Sequence, residues 1–131
     1  MDATRYVWMD GNLVDWDDAK IHVISHTLHY GAGVFEGIRC YETDKGPAIF
    51  RLKEHIERLY YSASTLNMKV PFSEEEFIKA VKETVKVNEL KSAYIRPLII
   101  YGYGKMGVNP AGAPVNCSIG TWIWGKYLGE G

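Results

Sequence analysis

Tyr94 and Arg96 are two positions apart in the apolar segment SAYIRPLIIYGYG, residues 92–104. In a β-strand, alternate side chains leave the same face of the sheet, so this phenol and this guanidinium can act on one ligand. A guanidinium fork together with one hydroxyl donor suits a carboxylate. Because an arginine is costly to bury without an anion or a partner, the spacing predicts a carboxylate-binding pair. The alternative is an arginine at the sheet edge that reaches solvent.

Three histidines, His22, His26 and His29, have a spacing that would place them on one face of a helix, where they could bind a metal ion. No carboxylate lies among them as in the H-E-x-x-H motif, and the isoleucines and valine beside His22 favour a strand or a loop. We therefore expect hydrogen-bonded structural histidines and no metal site.

The stretch HYGAGVFEG, residues 29–37, contains Gly31, Gly33 and Gly37 and resembles a dinucleotide-binding loop. Such a loop needs the spacing G-x-G-x-x-G and a helix after it. Here the third glycine comes one residue late and a strand follows, which argues against a phosphate-binding loop. The glycines are expected to let the backbone turn tightly or approach another group closely.

Two further segments carry weaker signals. Arg58 lies in EHIERL beside Glu54 and Glu57, and helical periodicity alone predicts a solvated charge there. The Gly/Pro-rich segment KMGVNPAGAP begins at Lys105 and is a candidate binding loop. The sequence has no acyl-transfer triad, Walker motif or zinc-ligand pattern.

Two groups of strands, with helices between them, are predicted to position these residues. RYVWMDGNLVDW predicts a hairpin that turns at Asp10-Gly11, with strands over residues 6–9 and 13–15. GVFEGIRCYET predicts a strand and AIFRL a returning strand, whereas the state of AKIHVISHTLHYG is ambiguous. Two later strands are predicted in SAYIRPLIIYGYG and VNCSIGTWIW, and Pro97 argues for an edge strand or a bulge in the first of them.

Two helices are predicted between these groups of strands. From Lys53, apolar residues recur with helical spacing as far as Leu66. Ser73 and Glu76 have the spacing of a capping box at the start of a second helix. Together the elements predict an α+β fold, an antiparallel sheet with two helices packed on one side.

The bulk composition sets limits on function. The 131 residues suffice for one domain, and a net charge of −1 gives no electrostatic case for a nucleic-acid or membrane partner. Cys40 and Cys117 are expected to be reduced structural thiols. The N-terminus has no apolar signal-peptide core, so we expect a cytoplasmic location.

Five blocks together resemble a known family: HVISHTLHYGAGVFEGIRCY, FRLKEHIERL, SAYIRPLI, KMGVNP and WGKYLGEG. In this order they are similar to the N-terminal domain of branched-chain-amino-acid aminotransferases, which are fold-type IV pyridoxal-phosphate enzymes. D-amino-acid aminotransferases and aminodeoxychorismate lyases share this fold but are less similar at VFEGIRCY and SAYIRPLI. The resemblance implies pyridoxal 5'-phosphate as cofactor, and L-valine, L-leucine or L-isoleucine and 2-oxoglutarate as substrates.

The resemblance also implies roles for single residues. Arg58 resembles the residue that binds the cofactor phosphate, contrary to its expected role as a solvated charge. Phe35 and Gly37 resemble the wall of the substrate pocket, and Tyr94 resembles the hydroxyl near the substrate α-carboxylate. Arg96 resembles the residue that takes the distal carboxylate of glutamate.

A further group of residues resembles family positions that act with Arg96 or across a dimer interface. Tyr30 and Tyr127 resemble the helpers of Arg96, and Tyr30 is also expected to act across the interface. Met106 and Val108 resemble loop residues that reach a pocket of the other subunit. The resemblance therefore implies a homo-oligomer built from dimers, with small-molecule substrates and no nucleic-acid or membrane partner.

The family also has a second domain that carries the Schiff-base lysine, and no lysine here lies in a matching motif. We therefore expect an N-terminal α+β domain over residues 1–124, the start of an interdomain linker over residues 125–131, and no catalytic residue in this chain. Alone it is expected to be inactive and not to retain the cofactor. The alternatives are another type IV enzyme, or a stand-alone, non-catalytic domain that binds an anion or assembles with a partner.

Overall fold

Seven antiparallel strands form one sheet in residues 2–123, the part of the chain that this computed structural model describes. The strands are β1 (Tyr6–Met9), β2 (Asn12–Asp15), β3 (Gly33–Phe35), β4 (Ile38–Thr43), β5 (Gly46–Ile49), β6 (Ala93–Tyr101) and β7 (Val115–Trp122). Their order is β2-β1-β7-β6-β4-β5, and β3 also pairs with β6. Asp10 and Gly11 turn the predicted β1–β2 hairpin with φ values of 49° and 97°.

In the described residues, three helices pack against this sheet, and the two long ones cover one of its faces. The helices are α1 (His26–Tyr30), α2 (Leu52–Thr65) and α3 (Glu74–Val87), and a short 3-10 turn spans Trp16–Asp18. The buried stripes of α2 and α3 pack on the sheet, with Ile56, Leu59, Phe77 and Val81 against residues such as Ile95. The α+β fold with two helices on one side of an antiparallel sheet is therefore confirmed.

The ends of the helices follow from local chemistry. At the start of α3, Glu76 N donates to Ser73 Oγ (3.1 Å) and Ser73 N donates to Glu76 Oε1 (3.0 Å), which confirms the capping box. At the start of α2, Arg51 has a left-handed φ of 50°, so the chain turns there into the helix. The prediction that AIFRL is a strand throughout is wrong at its end, because β5 stops at Ile49 and α2 begins at Leu52.

The segment before β3, whose state the sequence left ambiguous, contains a single helical turn and a loop. Helix α1 begins after Ser25 and ends at Gly31, which has a left-handed φ of 75°. Gly31 is thus the terminating glycine that a helix C-terminus commonly uses.

Pro97 lies in the middle of the sheet, so the prediction of an edge strand is wrong. Strand β6 pairs with β7 on one side and with β3 and β4 on the other. Glu36 N donates to Pro97 O (3.2 Å), but Pro97 has no N–H to return a bond, so the ladder is interrupted between β3 and β4. The pairs Gly33–Ile100 and Ile38–Ile95 keep one register across this gap, so no residue is inserted and there is no bulge.

The two faces of β6 differ in what covers them. Ala93, Ile95 and Ile99 belong to the core beneath α2 and α3. Because side chains alternate along a strand, Tyr94 and Arg96 lie on the face of the sheet opposite α2 and α3. This face carries the pair that the sequence singled out.

Cys40 and Cys117 are both free and buried, as expected for reduced structural thiols. Burial raises the pKa of the Cys117 thiol to about 12, and the charge of Asp10 adds to this. Both thiols are therefore packing residues. Among the described residues, no helix has the length and apolar character needed to cross a membrane.

Candidate functional site

Tyr94 and Arg96 form a direct pair on the face of the sheet opposite α2 and α3. Arg96 Nη2 donates a hydrogen bond to Tyr94 Oη (2.7 Å), which confirms that the two side chains share a face. The Arg96 guanidinium also lies over the ring of Phe35, with Cζ 4.2 Å from the ring centroid. The ring of Tyr94 lies against Trp122 at 4.9 Å between centroids. The guanidinium therefore lies over one aromatic ring and is hydrogen-bonded to a phenol that packs on another.

Arg96 retains unused donor capacity. Its Nε atom is buried and has no hydrogen-bond partner within residues 2–123. A buried donor left unpaired costs about 1–3 kcal/mol, and more for a charged group. The side chain is half-buried on a central strand, so the alternative of a solvent-reaching edge arginine is wrong. An anion such as a carboxylate would satisfy this donor and the positive charge together.

Gly37 is essential to the shape of this pair. A Cβ atom built on Gly37 would overlap the Tyr94 hydroxyl and would lie 3.1 Å from Tyr94 Cζ. Gly37 has no unusual φ, so the glycine is required for space and not for backbone conformation. The close approach predicted for the glycine stretch is therefore present here, between Gly37 and the phenol that binds Arg96.

Arg58 has a partner that the sequence did not reveal. Its Nε donates to Glu36 Oε2 (2.9 Å) and its Nη2 donates to Glu36 Oε1 (2.6 Å). Glu36 is only 6% exposed, whereas the Arg58 side chain is 68% exposed. The prediction of a simple solvated charge is thus wrong, because one edge of the guanidinium forms a bidentate salt bridge.

His55 completes this cluster from the preceding turn of α2. Its Nδ1 lies 2.8 Å from Glu36 Oε1. Burial pushes the pKa of the Glu36 carboxyl upward, but the hydrogen bonds and charges of Arg58 and His55 outweigh this, so its pKa lies below the ordinary value. The hydrogen bond to Glu36 raises the pKa of Arg58. The cluster therefore holds a buried carboxylate in its charged form.

The sequence did contain a signal for Glu36. Val34, Glu36 and Ile38 alternate in GVFEGIRCYET, so strand periodicity places Glu36 on the same face as two apolar residues. An acid at such a position must be paired when it is buried. Helix α2 offers His55 and Arg58 at i and i+3, which neighbour each other on one helix face.

The three histidines make separate contacts. His26 is fully buried, and its Nε2 lies 2.8 Å from Gly107 O. His29 Nε2 lies 2.7 Å from Val23 O, and Ile24 N donates to His22 Nδ1 (3.0 Å). Each histidine thus has the hydrogen bond expected of a structural role. In the described part of the chain, no three His, Cys, Asp or Glu side chains cluster as a metal site would require.

The remaining residues implied by the resemblance lie at or near α1. Tyr30 ends α1 and contacts the His26 ring at 4.7 Å between centroids. Through Gly107, His26 joins this helix to the loop that carries Met106 and Val108, which are 39% and 83% exposed.

The structure thus divides these residues into two neighbouring groups. It brings Phe35, Gly37, Tyr94 and Arg96 together, whereas Tyr30 is linked to the loop of Met106 and Val108 through His26, and none of these contacts joins the two groups within residues 2–123. Tyr127 lies outside the described residues.

One pocket lies beside Arg58, and a larger one lies on the face of the sheet opposite α2 and α3. The first, of about 240 Å³, is lined by Arg51, Glu54, His55 and Arg58. The second, of about 500 Å³, has a lining that includes residues such as Met9, Leu98 and Ile100 and none of the Tyr94–Arg96 group. The pocket beside Arg58 is the one whose lining suits an anion, because it contains two arginines.

A family model described as Amino-transferase class IV matches residues 33–129 of the chain. The branched-chain-amino-acid aminotransferase of Pseudomonas aeruginosa is 50% identical over 129 residues, covering 98% of this chain and 42% of that protein. The corresponding protein of Escherichia coli K12 is 50% identical over 125 residues, covering 95% and 40%. The chain thus spans about two fifths of the length of these relatives.

Solved structures of branched-chain amino acid aminotransferases also match the chain. The Escherichia coli branched-chain amino acid aminotransferase matches with a TM-score of 0.91 and 49% identity, covering 95% of this chain and 41% of that one. A branched-chain amino acid aminotransferase from T.th., complexed with N-(5'-phosphopyridoxyl)-L-glutamate, matches with a TM-score of 0.91 and 50% identity, covering 95% and 42%. The enzyme from Thermoproteus uzoniensis with norvaline matches with a TM-score of 0.89 and 41% identity, covering 95% and 42%.

Proposed function

Because the chain belongs to the class IV amino-transferase family, we propose that it is the N-terminal part of a branched-chain-amino-acid aminotransferase. The whole enzyme would transfer an amino group between L-valine, L-leucine or L-isoleucine and 2-oxoglutarate. The observation that carries this proposal is the group of Phe35, Gly37, Tyr94 and Arg96, in which a half-buried guanidinium retains an unpaired donor beside aromatic surfaces. Such a site suits both an aliphatic side chain and a carboxylate.

The residues that are present fit a phosphate-bearing cofactor. Arg58 uses its Nε–Nη2 edge for Glu36, so the Nη1 donors and one Nη2 donor remain for a phosphate group. Pyridoxal 5'-phosphate, when bound, supplies the electron sink that acidifies the substrate α-carbon. The role of Arg58 would be to bind the phosphate by charge-assisted hydrogen bonds.

The substrate contacts follow from the same geometry. Arg96 would bind the distal carboxylate of glutamate or 2-oxoglutarate through its unpaired Nε and its remaining Nη donors. Tyr94 would place its hydroxyl near the α-carboxylate, because its bond with Arg96 fixes the phenol. Phe35 and Gly37 would form part of the wall that contacts the aliphatic side chain of a branched substrate, and removal of this apolar surface from water would favour binding.

The further domain and the assembly belong to the proposal as well. Residues 1–124 would form the N-terminal domain and residues 125–131 the start of the linker to a domain that carries the Schiff-base lysine. Without that amine the chain alone would have no transaminase activity and would not retain the cofactor. The enzyme would be a homodimer or an assembly of dimers in the cytoplasm, with Tyr30, Met106 and Val108 acting across the interface and Tyr127 assisting Arg96.

Arg96→Ala in the full-length protein tests the proposal. A lost charge-assisted hydrogen bond costs about 1.5–3 kcal/mol, so kcat/KM for glutamate and 2-oxoglutarate should fall by about 10- to 150-fold. The value for L-leucine should change far less, because its side chain has no carboxylate. Equal losses for both substrate classes would contradict the role of Arg96, and activity with D-alanine in place of L-leucine would favour a D-amino-acid aminotransferase.

A further inference from the structure

The Glu36 carboxylate occupies only one edge of the Arg58 guanidinium. Both of its oxygens are engaged, Oε2 by Arg58 Nε and Oε1 by Arg58 Nη2 and His55 Nδ1. The opposite edge, formed by Nη1 and the second hydrogen of Nη2, stays free for another oxyanion. Since the side chain is 68% exposed, this edge is open to an incoming ligand.

Glu36 is itself rigidly placed. Its backbone N donates to Pro97 O at the interruption between β3 and β4, and its side chain is buried beneath α2. His55 comes from the same helix as Arg58, one turn earlier, and holds the carboxylate from a second direction. The carboxylate therefore forms a fixed anchor for an otherwise long and flexible side chain.

We infer that Glu36, supported by His55, is a positioning residue that fixes Arg58 so that the free edge of its guanidinium binds a phosphate group at the pocket beside α2. This inference rests on the proposed function, in which Arg58 binds the cofactor phosphate. Glu36 itself touches neither phosphate nor substrate. Its effect is to order the arginine before the anion arrives, so that less rotamer freedom is lost on binding.

If electrostatic repulsion alone acted, removal of the Glu36 charge would strengthen phosphate binding, because a carboxylate near the site repels a phosphate. A positioning role requires that the order conferred on Arg58 outweigh this repulsion. The two explanations therefore predict changes of opposite sign for Glu36→Gln, which removes the charge and one of the two acceptor oxygens but keeps the side-chain shape.

The chain also provides a matched control for charge. Glu54 lines the same pocket, but its Oε1 lies 3.9 Å from Arg51 Nη1 and it has no bond to Arg58. Glu54→Gln thus removes one carboxylate charge near the Arg58 guanidinium without releasing Arg58. Arg58→Lys supplies the second control, because an ammonium is a point charge with no fork for Glu36 to orient.

The first measurement uses the 131-residue chain without ligand, labelled with nitrogen-15. The Arg58 Nε–Hε resonance, identified by its loss in Arg58→Lys, should be protected from solvent exchange in the unmodified chain. It should lose this protection in Glu36→Gln and keep it in Glu54→Gln. An unprotected Arg58 resonance in the unmodified chain would overturn the inference and would leave the proposed function untouched.

The second measurement titrates inorganic phosphate, and separately pyridoxal 5'-phosphate, into the cofactor-free full-length protein and its variants, while the resonances of α2 are followed. Glu36→Gln should weaken phosphate binding about fivefold, which corresponds to about 1 kcal/mol. Glu54→Gln should leave binding unchanged or tighter. In the Arg58→Lys background, Glu36→Gln should no longer weaken binding.

The outcomes separate the two proposals. Equal or tighter phosphate binding in Glu36→Gln overturns the positioning role while Arg58 remains a phosphate contact. If phosphate shifts no α2 resonance in the unmodified full-length protein, the role of Arg58 in the proposed function fails, and this inference fails with it. Should Glu36→Gln not fold, His55→Gln keeps both charged partners, and a smaller loss of Arg58 protection and of affinity is expected there.

Discussion

The two arginines of the candidate site, Arg58 and Arg96, differ in where their charge is balanced. Arg58 is exposed, and its partner Glu36 is the buried member of the pair. Arg96 is half-buried, bonds a neutral phenol and lies over Phe35, and its Nε has no partner among the described residues. The charge of Arg58 is therefore balanced within the chain, whereas a bound anion would balance the charge of Arg96 and pair its Nε. The two guanidinium groups thus have different surroundings, as the roles that we propose for them, a fixed cofactor contact and an exchangeable substrate contact, would require.

The largest effect should come from disturbing the Arg96 side of this comparison through Gly37. Gly37→Ala places a Cβ atom where the Tyr94 hydroxyl lies. Because overpacking of this kind costs about 1–3 kcal/mol, the free energy of unfolding in urea should fall by that amount. The double variant Gly37→Ala/Tyr94→Phe, which removes the clashing oxygen, should regain part of the loss. If the single variant is as stable as the unmodified chain, the tight fit between Gly37 and Tyr94 is wrong.

A smaller loss should follow from removing the charge on the Arg58 side. Glu36→Gln weakens hydrogen bonds to a charged, buried acceptor, but Arg58 can return to water, which lowers the cost. We expect a loss of about 1–2 kcal/mol in the free energy of unfolding. Glu54→Gln is the matched surface control and should change stability by less than about 0.5 kcal/mol. Equal effects of the two substitutions would contradict the burial of Glu36.

The loss of stability in acid should depend on the charge of Glu36, the partner of Arg58. The pKa of Glu36 is lowered in the folded protein from an ordinary value of 4.5, so its contribution is complete above about pH 4.5 and is lost as the pH falls through the lower, folded-state pKa. The pKa of Glu76 is also lowered, by its hydrogen bonds with Ser73, so both acids contribute to the loss. Urea denaturation at a series of pH values should give a shallower acid decline for Glu36→Gln. An unchanged decline would contradict the charged state of Glu36.

The smallest effect, and one of opposite sign, is expected at Arg96. Arg96→Met replaces a half-buried charge that has an unpaired donor by an apolar side chain of similar length. Stability should change by less than about 1 kcal/mol or should rise, because an orphaned donor is removed. A loss as large as that of Glu36→Gln in the same urea denaturation would show that Arg96 is needed for folding, and would remove the contrast between the two arginines.

Local rules were enough for much of the fold. The turn at Asp10-Gly11, the capping box of Ser73 and Glu76, and the shared face of Tyr94 and Arg96 depend on residues at most three positions apart. Apolar periodicity located α2 and α3 because each needs one buried stripe. The wrong predictions concern residues whose surroundings depend on several elements. Pro97 suggested an edge, but which strands neighbour β6 cannot be read from β6 itself.

Short-range periodicity and turn chemistry are sufficient to predict most of the strands, the two long helices and the side-by-side placement of Tyr94 and Arg96 from the sequence, but the predicted single strand GVFEGIRCYET is two strands, β3 and β4. The tertiary structure set the contacts of Glu36 with Arg58 and His55, which are 22 and 19 positions away. It also decided that the Tyr94 phenol fills the space left by Gly37. These contacts cross between elements, and their geometry depends on how a helix and three strands pack, which no local pattern encodes.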